Sequence, residues 1–239
     1  FPQRAAYKEK GLKEPCSAAG AGRRTLTEPA DRYKHERIFE MIGIIDYGAG
    51  NLFSLKNALD FLGLDSVITS SAKVVRDADQ LILPGVGAFP DAMRMLKRTG
   101  LVETIIEEAG RKPLLGICLG MQMLFEYGYE FETVKGLGLI PGEVRLISAP
   151  DLKIPHMGWS DVKIENECAL SKGIREGDRF YYVHSYRAET EKQYVSLYSE
   201  YGEYIPGLVF RDNVYGTQFH PEKSGEIGLK LLRNFGNLK

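Results

Sequence analysis

From Met41 to about Tyr127 the chain alternates short apolar runs with stretches whose apolar residues recur at helical spacing. Met41–Ile45, Ser66–Ser70, Gln80–Leu83 and Pro113–Cys118 read as strands. Leu52–Leu62, Ala88–Lys97, Leu101–Ala109 and a stretch from Leu119 to about Tyr127 read as helices. Strands that are apolar at nearly every position need cover on both faces. The rhythm therefore predicts an α/β fold, a doubly wound, mostly parallel central sheet with helices on both faces. Beyond Gly136 strand signals dominate, at Val144–Ile147, Trp159–Ile164, Phe180–Val183, Tyr194–Tyr198, Gly207–Arg211 and Val214–Phe219. They add β-rich segments before a closing helix, Gly225–Phe235.

The texture changes once, at about residue 40. Residues 1–40 carry nine basic and six acidic residues, with the small-residue run Ser17–Gly22, and show neither strand alternation nor a helical stripe until their end. They read as an N-terminal extension outside the fold, with Met41 as a natural start and residues 41–239 as one domain. Six acidic residues argue against an organelle transit peptide.

The whole chain has a net charge of −1 and no basic stripe, which argues against a nucleic-acid surface. Cys16, Cys118 and Cys168 are odd in number and widely spaced, so neither a disulfide framework nor a metal site is expected, and no cofactor is called for. No run approaches the roughly 20 apolar residues of a membrane span. A reducing, cytoplasmic setting follows.

In open α/β sheets ligands bind beyond the carboxyl ends of strands. Three strand-ending loops matter here. Asp46–Asn51 resembles the start of a dinucleotide fingerprint, but Phe53 stands where the third glycine belongs, leaving a tight turn or a partner surface. Gly116-Ile117-Cys118-Leu119-Gly120 is the thiol counterpart of the G-x-S-x-G nucleophile elbow. Its glycines permit a sharp turn with the cysteine at the apex, and a helix starting behind the sulfur favours the thiolate. A nucleophilic cysteine needs a base. In Phe219-His220-Pro221-Glu222 the proline extends His220, so that Glu222, two residues on, reaches the imidazole. His35 falls in the extension, and His156 and His184 lack such a carboxylate neighbour. Pro84-Gly85-Val86-Gly87 can turn backbone N–H groups into an oxyanion site together with Leu119.

The motifs L-P-G-V-G, G-I-C-L-G-M-Q and F-H-P-E, in this order, resemble those of the class I, triad glutamine amidotransferases. Asp46–Asn51, Pro155-His156-Met157-Gly158-Trp159 and Phe219–Ser224 are similar to the branch that forms glutaminase subunits of imidazole glycerol phosphate synthases, over essentially all of residues 41–239. The resemblance implies a triad of Cys118, His220 and Glu222 and an oxyanion site at Gly85, Val86, Gly87 and Leu119. It implies glutamine binding by Gln122, Glu130 and the Ser185–Tyr186 backbone, with Glu132 a nearby competitor for the role of Glu130. It also implies a (β/α)8-barrel cyclase partner in histidine biosynthesis, which uses ammonia to make imidazole glycerol phosphate and an aminoimidazole carboxamide ribotide. Asn51, Met157, Trp159 and Lys223 would meet that partner, and without it glutaminase activity would be low, because the Pro84–Gly87 loop reorients when the partner is liganded. Glutaminase subunits of pyridoxal phosphate or purine synthesis would share the triad but not need P-H-M-G-W. A non-catalytic module of the same fold would not need the triad at all.

Overall fold

The computed structural model describes residues 40–239. Apart from Glu40, the expected N-terminal extension lies outside the described residues, as do Cys16 and His35. In chain order the first half runs β1 (Ile42–Ile45), α1 (Leu52–Phe61), β2 (Ser66–Thr69), α2 (Ala72–Asp77), β3 (Gln80–Gly85), α3 (Phe89–Thr99), α4 (Val102–Ala109), β4 (Leu114–Cys118) and α5 (Leu119–Gln122). Two short strands follow, β5 (Tyr127–Gly128) and β6 (Val134–Lys135), then β7 (Glu143–Leu146), β8 (His156–Asp161), β9 (Lys163–Ile164), β10 (Arg179–His184) and β11 (Tyr186–Glu189). The chain closes with β12 (Val195–Glu200), β13 (Tyr204–Arg211), β14 (Val214–Thr217) and α6 (Gly225–Gly236).

The main sheet has the order β2-β1-β3-β4-β14-β13-β12-β9. Its first five strands are mutually parallel, and β13, β12 and β9 continue it antiparallel. Every residue of β1, β3, β4 and β14 is buried. Successive side chains of these strands serve opposite faces, as the pleat dictates. Ile45, Leu81, Leu83 and Leu114 pack with Phe89, Met93, Leu96 and Ile105 of α3 and α4 on one side. Ile42, Ile44, Ile82, Leu115 and Ile117 pack with α1 and with Leu231, Leu232 and Phe235 of α6 on the other. The doubly wound α/β expectation therefore holds.

The second half departs from the expectation in detail. The helix anticipated from Leu119 to about Tyr127 stops at Gln122. Met121 to Phe125 are all buried, so no polar face marks the helix end, and the following backbone is claimed by pairing of β5 with β6 and β7. The single strand expected over Trp159–Ile164 is two, because the chain leaves its antiparallel partner β10 at Val162 and pairs with β12 instead. Helix α2 and strand β11 were not anticipated at all.

One packing contact decides where the site forms. β1 sends its chain to α1 on one face, whereas β3 leads to α3 and α4 on the other, so the strand order reverses between them, and β4 lies beside β3 with Gly85 opposite Cys118. Behind Cys118 the first turn of α5 presses onto the end of β3. A Cβ on Gly120 would meet the Leu83 carbonyl oxygen at 1.8 Å, and one on Gly116 would meet Gly120 and Met121 backbone at 2.7 Å. Gly120→Ala is expected to cost about 3 kcal/mol or more in urea unfolding, because backbone cannot yield as a flexible side chain does. Gly110→Ala, whose Cβ would find its nearest neighbour at 3.5 Å, should stay within about 0.5 kcal/mol of the parent. Equal stability of the two variants would refute this account of the elbow.

Candidate active site

Strands β1, β3 and β4 deliver three loops to the switch point. In loop 46–51 the Gly48 N–H donates to Asp46 Oδ1 at 3.0 Å, and Gly50 takes φ 123°, where a Cβ would lie 3.2 Å from Pro84. The loop is thus a tight turn leaning on Pro84–Gly87. Cys118 ends β4 with φ 55° and ψ −111°. That backbone costs a non-glycine residue about 1–3 kcal/mol and is held only because the packing around it leaves no alternative. It projects the thiol from the strand end into a cavity of about 350 Å³.

Chain segments far apart in sequence line this cavity. Val86 and Gly87 come from the loop after β3, Cys118, Leu119 and Gln122 from the elbow, and His220 and Lys223 from the segment after β14. Glu130, Pro155, Val183, His184, Ser185 and Tyr186 complete the walls. Gly85 and Asn51 lie just outside, around a cleft of about 10 Å³ that also borders Pro84, His220 and Glu222. Met157 and Trp159 do not enter the cavity. They project from the outer face of β8, at 61% and 47% exposure, with Trp159 edge-on to Tyr181. Lys223 is exposed at the cavity mouth.

His220 is extended, at φ −98° and ψ 98°, and its Nδ1 lies 2.8 Å from Glu222 Oε1. Burial works to lower the imidazole pKa, but Cys118 and Glu222 outweigh it and raise it to about 9. The ring is consequently an imidazolium at neutral pH, flanked by a carboxylate and a thiol. Since this value lies above the ordinary 6.5, the stabilisation is complete below about pH 6.5 and is lost as pH rises through about 9.

Glu130 and Glu132 are separated by geometry. Glu130 Oε2 accepts the N–H of Phe89, the first residue of α3, at 2.7 Å, and burial raises its pKa despite that bond. Glu132 points outward, its side chain 62% exposed and 3.8 Å from Arg94. Gln122 donates from Nε2 to the Tyr186 carbonyl at 2.8 Å and to Gln218 Oε1 at 3.0 Å. Gln218, fully buried, in turn directs its Nε2 to Cys118 Sγ at 3.9 Å. Sequence reasoning missed Gln218. The available signal was its place two residues before His220 in an extended run, which puts both on one side. Among the described residues no cluster of His, Cys, Asp or Glu is arranged to hold a metal ion, and no helix is long and apolar enough to cross a membrane.

A family model described as glutamine amidotransferase class-I matches residues 43–237. The chain belongs to that family. It is 50% identical over 197 residues to the imidazole glycerol phosphate synthase subunit HisH of Bacillus thuringiensis, covering 82% of this chain and 93% of the relative. With the Bacillus cereus AH187 protein of the same name it shares 51% over the same span and coverage. Among solved structures, PurLQS from Thermotoga maritima superposes with a TM-score of 0.66 at 21% identity, covering 84% of this chain and 99% of that one. A structure described as a glutamine amidotransferase gives 0.64 at 18%, covering 82% and 98%. These two likenesses bear on the fold, that of the class-I glutamine amidotransferases.

Glu222→Gln tests the electrostatics of this site. The imidazole pKa of His220, followed by NMR titration, should fall by more than one unit, and the loss of stability between about pH 6.5 and 9 should shrink with it. An unmoved titration would mean that the carboxylate does not hold the charge.

Proposed function

We propose that this chain is the glutaminase subunit of an imidazole glycerol phosphate synthase, hydrolysing glutamine and handing the ammonia to a (β/α)8-barrel cyclase. The observation that carries the reading is the meeting, in one cavity, of a cysteine at a strained strand end with a buried, carboxylate-held imidazole. The 50% identity to HisH over most of both chains supports the choice of branch, as does the segment Pro155–Trp159.

The chemistry follows from the charges. With His220 protonated, Cys118 acts as a thiolate and adds to the side-chain amide carbon of glutamine, and the oxyanion meets N–H groups of Val86, Gly87 and Leu119, with Gly85 shaping the loop. Collapse breaks the C–N bond while His220 gives its proton to the leaving nitrogen, releasing ammonia and leaving a γ-glutamyl thioester. His220, now neutral, takes a proton from water. The hydroxide adds, the C–S bond breaks, and glutamate leaves with the thiolate–imidazolium pair restored. Glu222 holds the Nδ1–H throughout and stabilises the positive charge whenever His220 carries it.

Substrate recognition uses the opposite wall. Glu130 receives the α-ammonium, the backbone of Ser185 and Tyr186 the α-carboxylate, and Gln122 borders the substrate close to the elbow. Ammonia freed into water at neutral pH becomes ammonium and loses its nucleophilicity, so a partner must sit over the site. The outward Met157 and Trp159, with Asn51 and Lys223, supply the contact face, an exposed aromatic and methionine pair of the sort enriched at interfaces. The reading places the enzyme in the cytoplasm, where a catalytic thiol stays reduced. Cys118 and Cys168 are both unpaired in the structure.

Cys118→Ala in the complex should reduce glutamate release at least about 10³-fold while the cyclase still forms product from ammonium salts. Unchanged release would sink the mechanism. Trp159→Ala should weaken cyclase affinity by about 2 kcal/mol, roughly 30-fold, as titrated by calorimetry. Full retention of affinity and of coupled turnover would remove Trp159 from the interface.

A further inference from the structure

Two histidines that lack a carboxylate neighbour prove to face each other. His156 on β8 and His184 on β10 are partners in the antiparallel register. His156 Nδ1 lies 3.0 Å from His184 Nε2, His184 Nδ1 lies 2.8 Å from the Tyr186 carbonyl, and His156 Nε2 lies 2.7 Å from Ser160 Oγ. The carbonyl at one end decides every proton in the row. A carbonyl oxygen only accepts, so the proton of His184 sits on Nδ1 and its Nε2 must accept. His156 then donates from Nδ1, its Nε2 accepts, and the Ser160 hydroxyl is the donor that completes the chain. All the bonds point one way.

The surroundings keep both rings uncharged. His156 is 1% exposed and His184 6%, and burial holds their pKa values down to about 4 and about 3. His156 is also clamped between Tyr182 and Tyr201, stacked at centroid distances of 4.7 and 4.0 Å. At the far end of the row, the Tyr186 carbonyl receives a second donor, Gln122 Nε2 at 2.8 Å. Both its lone pairs are therefore engaged, one by the histidine row and one by a residue of the elbow.

We propose that His156 and His184 are positioning residues of the glutamine site, forming a neutral one-way hydrogen-bond relay from Ser160 to the Tyr186 carbonyl that fixes the Ser185–Tyr186 backbone and the Gln122 amide. The proposal rests on the glutaminase reading of the cavity. The relay starts on the strand whose outer face carries Met157 and Trp159, since His156 and Ser160 point inward where those two point outward. Neither histidine touches the reacting atoms in this scheme, and each acts through the carbonyl.

Two measurements on the complex with the cyclase test it. Nitrogen-15 NMR of the imidazoles at pH 7 should report the Nδ1–H tautomer for both His156 and His184, and an Nε2–H tautomer in either overturns the relay. In kinetics, His156→Asn keeps an amide donor near the Nδ1 position, whereas His156→Gln moves its amide to the Nε2 position and breaks the link to His184. The Gln variant should raise KM for glutamine about fivefold to tenfold with kcat within about twofold, the worth of roughly one hydrogen bond. The Asn variant should recover most of that loss. Product formation from ammonium salts should match the parent in both, which reports an intact, partner-bound subunit. Should His156→Gln not fold, Ser160→Ala takes its place: it removes the hydroxyl that His156 Nε2 accepts from and loosens the ring, and a several-fold rise in KM with the Nδ1–H tautomer retained is expected. An unchanged KM in the variant that folds, or an Asn variant no better than the Gln one, rules the relay out. A parent complex that turns over no glutamine would instead refute the functional reading, leaving the tautomers to be judged on their own.

Discussion

The Leu83 carbonyl and the backbone of Gly120 approach so closely that no side chain fits between them, and this contact between β3 and the first turn of α5 sets the position of every other group in the site. It binds the loop after β3, with its N–H groups, to the turn that carries Cys118. It also forces Cys118 into a backbone conformation that its own side chain disfavours. Hydrophobic packing on both faces of the sheet supplies the stability against which that strain is held. The Pro84–Gly87 loop and the thiol are in this sense one rigid object, and the remaining residues come to it from elsewhere.

What they bring is charge control in a buried place. Three side chains with opposing demands, a thiol, an imidazole and a carboxylate, share a volume from which water is largely excluded. Burial alone would neutralise His220, yet its neighbours Cys118 and Glu222 win and keep it charged. A few ångströms away His156 and His184 meet no carboxylate and lose the same contest. Identical rings are thus held charged in one case and neutral in the other, with the neighbours alone making the difference.

Much of this was legible in the chain. Buried parallel strands have an unmistakable signature, apolar at consecutive positions, and Met41–Ile45, Gln80–Leu83 and Pro113–Cys118 carried it. The elbow and His220–Pro221–Glu222 were readable because their geometry is local, set by glycines two residues either side of Cys118 and by a proline. The two-residue strands β5, β6 and β9 are too short to have a period, and the uniformly buried Met121–Phe125 has no polar face to betray where its helix ends. The histidine row depends on cross-strand register, which couples positions far apart in sequence and leaves no local trace. The outward place of the single tryptophan was legible only from the motif around it, since most large aromatics of such a chain are buried.

The place of β14 in the sheet has a temporal consequence. It is inserted between β4 and β13, although residues 114–117 and 214–217 are separated by about a hundred positions. During synthesis the strand carrying Cys118 must therefore wait, with one edge unpaired, until about a hundred further residues have emerged. His220 and Glu222 follow β14 closely, so closing this gap in the sheet and bringing the imidazole to the thiol are the same event. A chain cut short of β14 holds Cys118 without its imidazole.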